Sequence, residues 1–144
     1  SSMIIYSIST EEKNNQTIQL QDGRGEHREI SSLPKPFYNW ERSNYVYLDK
    51  HGLEILICAG NIGNNRDCFQ LSWESAALTQ KSPTLLERRN FGLSCIAEFV
   101  FAFGGEYSRN TVEGIGIEER VDAGSGHAGR FELCGEHCAG WSYI

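Results

Sequence analysis

The stretch ERSNYVYLDKHGLEILICAG, residues 41–60, returns as ERRNFGLSCIAEFVFAFGG, residues 87–105, and this return decides how the chain is read. Glu41, Arg42 and Asn44 match Glu87, Arg88 and Asn90 at a spacing of 46 residues, whereas Ala59-Gly60 match Gly104-Gly105 at 45. The one-residue slip falls between the two apolar runs of each copy, at 50–53 and near Ala97 and Glu98, where a hairpin turn absorbs a deletion. A period near 45, built from short β-rich runs ending in glycine, predicts an array of small sheets. One four-stranded unit cannot bury both of its faces alone, so such units must stack on neighbours.

Within the first copy, residues 45–48 and 54–59 predict a hairpin around the turn at 49–52, followed by a third strand at 68–73 and a fourth near 77–80. The second copy repeats this order at 91–96, 99–103, 111–117 and 130–134. Ahead of both, 3–8 and 17–20 read as two strands joined by a polar loop. Residues 21–36 read as a long connection with a short extended piece near Ile30. Fifteen glycines and the lack of helical spacing among apolar residues argue against helices, with at most one turn at 74–78. The expected organisation is a single β-domain, with a partial unit and connection at 1–40, one unit at 41–86 and a second with a tail at 87–144.

A formal net charge of −6 and a pI near 5.2 argue against attraction to nucleic acid or an anionic membrane, and no segregated basic patch interrupts that balance. No apolar run approaches the length of a membrane helix. Five cysteines, Cys58, Cys68, Cys95, Cys134 and Cys138, form an odd set without a secretory signal, so reduced thiols and a cytoplasmic setting are expected. Cys58 and Cys95 sit in apolar runs, where they would act as small buried hydrophobes.

These residues resemble the kelch repeat, the unit of a family of β-propellers. The best match is 85–113, where an arginine-bearing lead-in, a first strand, an apolar strand ending Gly104-Gly105, a variable loop and Val112-Glu113 follow the family's order. The earlier copy departs from it: Ala59-Gly60-Asn61 replaces the double glycine, and the third strand lacks the expected tyrosine. The interblade tryptophan is also displaced, with Phe131 the nearest substitute and Trp73 and Trp141 off position. The resemblance implies all-β, four-stranded antiparallel blades, about two whole and an N-terminal half. A propeller ring takes about four to eight blades, so it implies an incomplete ring, a portion of a larger propeller, or an oligomer or larger assembly that completes it.

The candidate sites follow from the loops. Residues 61–67 and 106–110 join second to third strands and should emerge on one face, the place where ligands commonly dock on propellers of the resembling family. Arg66, Tyr107, Arg109 and Asn110 combine charge, planar hydrogen bonding and aromatic area there, the chemistry of binding hot spots; the plainer reading is a solvated polar loop. In resembling proteins, arginines placed like Arg42 and Arg88 can face the central channel and bind acidic peptides, and the alternative is a structural pairing with Glu41, Glu87 or loop carbonyls. Cys134, His137 and Cys138, with His127 upstream, are the one metal-like cluster, though a second well-spaced ligand pair is lacking. No nucleophile with a base, glycine elbow or phosphate loop is present. The expected function is therefore a protein- or peptide-binding module or substrate adaptor without a cofactor, its arginines favouring an acidic partner. A metal-dependent or propeller-type enzyme and a structural subunit of a large assembly are the alternatives.

Overall fold

A computed structural model of the chain describes residues 4–10, 16–30, 44–58, 66–120, 130–135 and 140–144. Every regular element among them is a β-strand, and every pairing is antiparallel. Strands β1 (Ile4–Thr10), β2 (Gln16–Gln21) and β3 (His27–Ile30) form a first, three-stranded sheet. The second sheet follows chain order through β4 (Asn44–Tyr47), β5 (Glu54–Cys58), β6 (Cys68–Ser72) and β7 (Ala77–Lys81). The third runs through β8 (Gly92–Ile96), β9 (Phe99–Phe103), β10 (Val112–Arg120) and β11 (Arg130–Leu133), with β12 (Ser142–Tyr143) also paired to β10. The apolar, β-rich runs thus mark the strands, and the extended piece expected near Ile30 forms β3 beside the two strands expected in the N-terminal part.

The three sheets share two layers of core. Because side chains alternate across a strand, β5 and β6 send Ile55, Ile57, Phe69 and Leu71 to one side, where they meet Leu20 and Ile30 of the first sheet. Leu56, Cys58 and Cys68 go to the other side and meet Val100, Ala102, Ile115 and Leu133 of the third. All ten residues of β5 and β6 are consequently buried. A strand covered on both faces reads as a continuous apolar run, as in ILIC at 55–58. Each layer also holds a tryptophan: Trp73 lies in the first, with the Arg28 guanidinium 4.6 Å from its ring centre, and Trp141 lies in the second, donating to Ser82 O at 3.0 Å. The two tryptophans that the repeat leaves off position are therefore buried between sheets, and Phe131 packs partly buried against the layer that holds Trp141.

Strand register relocates the slip between the two copies. The first hairpin closes with Leu48 N–H donating to Glu54 O, leaving five turn residues at 49–53, whereas Ile96 pairs with Phe99 across only Ala97 and Glu98. Ala97 takes a φ of 53°, as tight two-residue hairpins demand. Asn44 pairs with Cys58 and Gly92 with Phe103, so the strand equivalent of Asn44 is Gly92, whereas the sequence match pairs it with Asn90. A larger deletion in the turn is thus offset by an insertion before β8. The fourth-strand position also differs. Gln80 and Thr79 of β7 pair with Phe69 and Gln70, and the corresponding residues of β10, Glu113 and Gly114, pair with Tyr143 and Ser142 of β12. Strand β11 instead lines the farther half of the long β10, from Ile117 to Arg120.

Candidate functional site

The β9–β10 loop is built on a buried ion pair. Arg88 and Glu113 are both 0% exposed, and the Glu113 carboxylate accepts from Arg88 Nη2 at 2.9 Å and Nε at 3.2 Å. Two such charges are costly to bury unless their remaining valences are met. They are met here: Glu113 also accepts from Leu85 N–H at 2.6 Å and Leu86 N–H at 3.3 Å, while Arg88 Nη1 donates to Gly104 O at 2.9 Å and Thr111 O at 3.4 Å. One arginine and one glutamate thereby tie the segment before β8 to both ends of the loop. Arg88 has no surface to offer a partner, so the docking role expected of it is replaced by the structural one, through Glu113 and loop carbonyls. Arg42 lies outside the described residues.

The double glycine makes this closure sterically achievable. Gly104 and Gly105 have φ of 68° and 108°, a region that disfavours side chains. A Cβ on Gly105 would stand 2.9 Å from Arg89 O, the acceptor that takes Glu106 N–H at 3.1 Å. Ser108 Oγ donates to Glu87 O at 2.5 Å, Thr111 Oγ1 to Ser108 O at 2.5 Å, and Asn90 Nδ2 to Glu106 Oε1 at 2.7 Å. The loop's base is fastened to 87–90 at several points.

On this base the tip faces water. Tyr107 is 61% exposed, and the Arg89 guanidinium lies 5.3 Å from its ring centre, within cation–π range. Arg109 and Asn110 are exposed beside it, Asn110 at a φ of 61°, which asparagine tolerates better than most residues. Arg66 is exposed at the end of the β5–β6 loop, its Nε donating to Thr84 O at 2.7 Å while Thr84 N–H donates to Arg66 O at 2.9 Å. Residues 84–89 thus touch Arg66 at one end and the β9–β10 loop at the other, so one connecting segment carries both groups of candidate residues. Arg89 is the member that the sequence reading missed. Its doubled position beside Arg88 was the available signal, since one arginine is fully buried and its neighbour stays partly accessible.

The cysteines depart from expectation. Antiparallel register sets Cys58 opposite Cys68 at a Cα separation of 4.1 Å, and the two form a disulfide. Cys134 is disulfide-bonded as well, so its sulfur is no thiolate ligand, and the alternative of a metal held by it is set aside. His127, His137 and Cys138 lie outside the described residues, among which no three His, Cys, Asp or Glu side chains are grouped to hold a metal. Among the described residues Cys95 is the free thiol, half-buried against the second core layer, and burial pushes its pKa up. No helix among the described residues is long and apolar enough to cross a membrane.

A second polar cluster sits between sheets. Gln70 donates to Glu54 Oε2 at 3.1 Å and to Phe131 O at 3.0 Å, and accepts from Leu133 N–H at 3.2 Å, so one amide links β6 to β11 as a strand would. Ser72 Oγ donates to Glu54 Oε1 at 2.9 Å, and Lys81 pairs with Glu132 at 3.3 Å. This cluster joins the second and third sheets. Compared with models of known families and with curated proteins, the chain matches none.

Proposed function

We propose that this chain is a kelch-like propeller module that captures a protein or peptide partner with its interstrand loops, serving as a scaffold or substrate adaptor. The observation that carries this reading is the contrast within the β9–β10 loop: a base locked by Arg88–Glu113 supports a tip where Tyr107 and Arg109 stand in water, with a half-buried Arg89 against the Tyr107 ring. A rigid support lowers the ordering cost of binding, and tyrosine and arginine are, with tryptophan, the residues enriched in hot spots. The kelch-like reading is supported by a four-stranded meander packed face to face on a five-stranded sheet that also begins as a meander, its apolar strand ending in two glycines of positive φ. The arginines favour a partner rich in carboxylates, which a guanidinium grips with two parallel hydrogen bonds. A cytoplasmic setting rested on reduced thiols and loses that support with Cys58 and Cys68 bonded.

The test is affinity capture from cell extract, comparing the native chain with Arg66→Ala/Tyr107→Ala/Arg109→Ala. The expected result is loss of the specific partners from the variant, and weaker capture by the native chain as salt rises. Equal recovery by both proteins would remove the loop tip as the binding site.

A further inference from the structure

The core layer between the second and third sheets is filled at its centre by Leu56, Val100, Ala102 and Ile115. At the β4–β5 and β8–β9 turns it gives way to a cavity of about 480 Å³. Four members of the layer line this space: Leu48 at the end of β4, Cys95 of β8, Ile117 of β10 and Phe131 of β11. Burial pushes the Cys95 thiol up, which reports how little polarity these walls offer an ion. Small-molecule sites have this size and this make-up, an apolar lining with a few placed polar groups.

The charged groups of the lining come from the turns. Asp49 and Lys50 belong to one and Glu98 to the other, so two carboxylates stand against one ammonium. The net charge of the chain, −6, has the same sign as that excess. A cation is therefore drawn to the cavity and an anion is repelled. Both turns are already fixed by main-chain bonds. Asp49 Oδ1 accepts from Leu53 N–H at 3.0 Å and Glu54 N–H at 3.2 Å, and Glu98 O accepts from Ile117 N–H at 2.7 Å. A ligand entering between them has little chain to order, which lowers the cost of binding it.

We propose that this cavity binds a small apolar amine, its hydrocarbon body against Leu48, Cys95, Ile117 and Phe131 and its ammonium at the carboxylates of the two turns. The walls select for hydrocarbon, and the excess carboxylate selects the charge that accompanies it. The site needs both sheets, since Leu48 and Asp49 come from the second and the remaining walls from the third. It is separate from the loop tip, because the β8–β9 turn and the β9–β10 loop lie at opposite ends of β9.

Isothermal titration calorimetry of the whole chain tests this with phenethylamine and 3-phenylpropionate, which share a phenylalkyl body and differ in charge. Phenethylamine should bind in roughly the millimolar range, as suits so few atoms, and at least about fivefold more tightly than 3-phenylpropionate. Glu98→Gln, at an exposed position, should narrow that preference to about twofold. A benzyl group joined to the Cys95 sulfur as a mixed disulfide occupies the cavity and should abolish binding, with circular dichroism checking that the fold is kept. No binding of phenethylamine at about 10 mM, equal affinity for the two probes, or binding that survives the Cys95 tag would overturn the proposal. Arg66→Ala/Tyr107→Ala/Arg109→Ala should bind phenethylamine as the native chain does, so this outcome is independent of partner capture.

Discussion

The second and third sheets are copies of one design that differ most where their positions correspond. Phe69 of β6 and Glu113 of β10 occupy equivalent places, and both are buried. The first sits in an apolar layer between sheets; the second holds a guanidinium, two backbone N–H groups and the base of a loop. On the opposite face the contrast reverses. The second sheet presents a disulfide, Gln70 and Ser72 to a neighbour that covers them, and the third presents phenylalanines and glycines to water. One backbone plan therefore accepts two ways of being stabilised: by apolar burial between layers, or by a saturated polar network that fastens the base of the loop above it.

The largest test of that contrast is the ion pair. Arg88→Ala leaves the Glu113 carboxylate buried without its cation, and urea unfolding should register a loss of about 3–5 kcal/mol. Phe69→Leu, at the equivalent place in the second sheet, should cost under about 1.5 kcal/mol because it keeps an apolar side chain of similar volume. Joint replacement by Arg88→Met and Glu113→Leu should recover only part of the loss, since Leu85 and Leu86 N–H groups are then orphaned at about 1–3 kcal/mol each. Full recovery would show that the pair matters only as two charges.

The disulfide is the next test. Its counterpart positions in the third sheet are Phe103 and Val112, so only the second sheet has this cross-link between its middle strands. Closing a loop across a sequence separation of 10 should contribute about 2–3 kcal/mol. Adding reductant should lower the unfolding midpoint accordingly, and Cys58→Ala/Cys68→Ala should lose all response attributable to this bond. An unchanged midpoint on reduction would place the stability of the second sheet wholly in its two apolar layers.

How much of this could be read in advance follows from what each feature depends on. The middle strands were legible because ILIC and FVFAF are runs whose composition alone marks them. The loop carrying Tyr107, Arg109 and Asn110 was legible because Gly104-Gly105 announces a chain reversal that other residues resist. The inward turn of Arg88 was not, since its partner Glu113 is 25 residues away and their meeting depends on β9–β10 register. The Cys58–Cys68 bond was hidden for the same reason: it needs register, and an odd cysteine count pointed elsewhere. Strand β12 escaped because two residues, Ser142 and Tyr143, carry no period, and only the unpaired edge of β10 gives them a place.

Two smaller effects separate the loop base from the sheet beneath it. Gly105→Ala forces a side chain into a φ of 108° and against Arg89 O, and should cost about 2 kcal/mol. Gly104→Ala meets open space at a φ of 68° and should cost about 1 kcal/mol; the first copy has Ala59 at that position. Thermal unfolding of both variants should therefore rank Gly105 first, and a reversed order would move the constraint from the backbone contact to the turn. Last comes Cys95, whose thiol is pushed up by burial where the third sheet meets the second. A raised folded-state pKa favours the neutral thiol, so its contribution is complete below the unfolded value of about 8.5 and fades as pH rises through the folded one. Cys95 should react with a disulfide reagent more slowly than a small free thiol at pH 8, and Cys95→Ala should flatten the alkaline limb of the stability profile by a small amount. If instead Cys95 reacts at the rate of a small thiol, the layer between the two sheets opens at that edge far more readily than its packing implies.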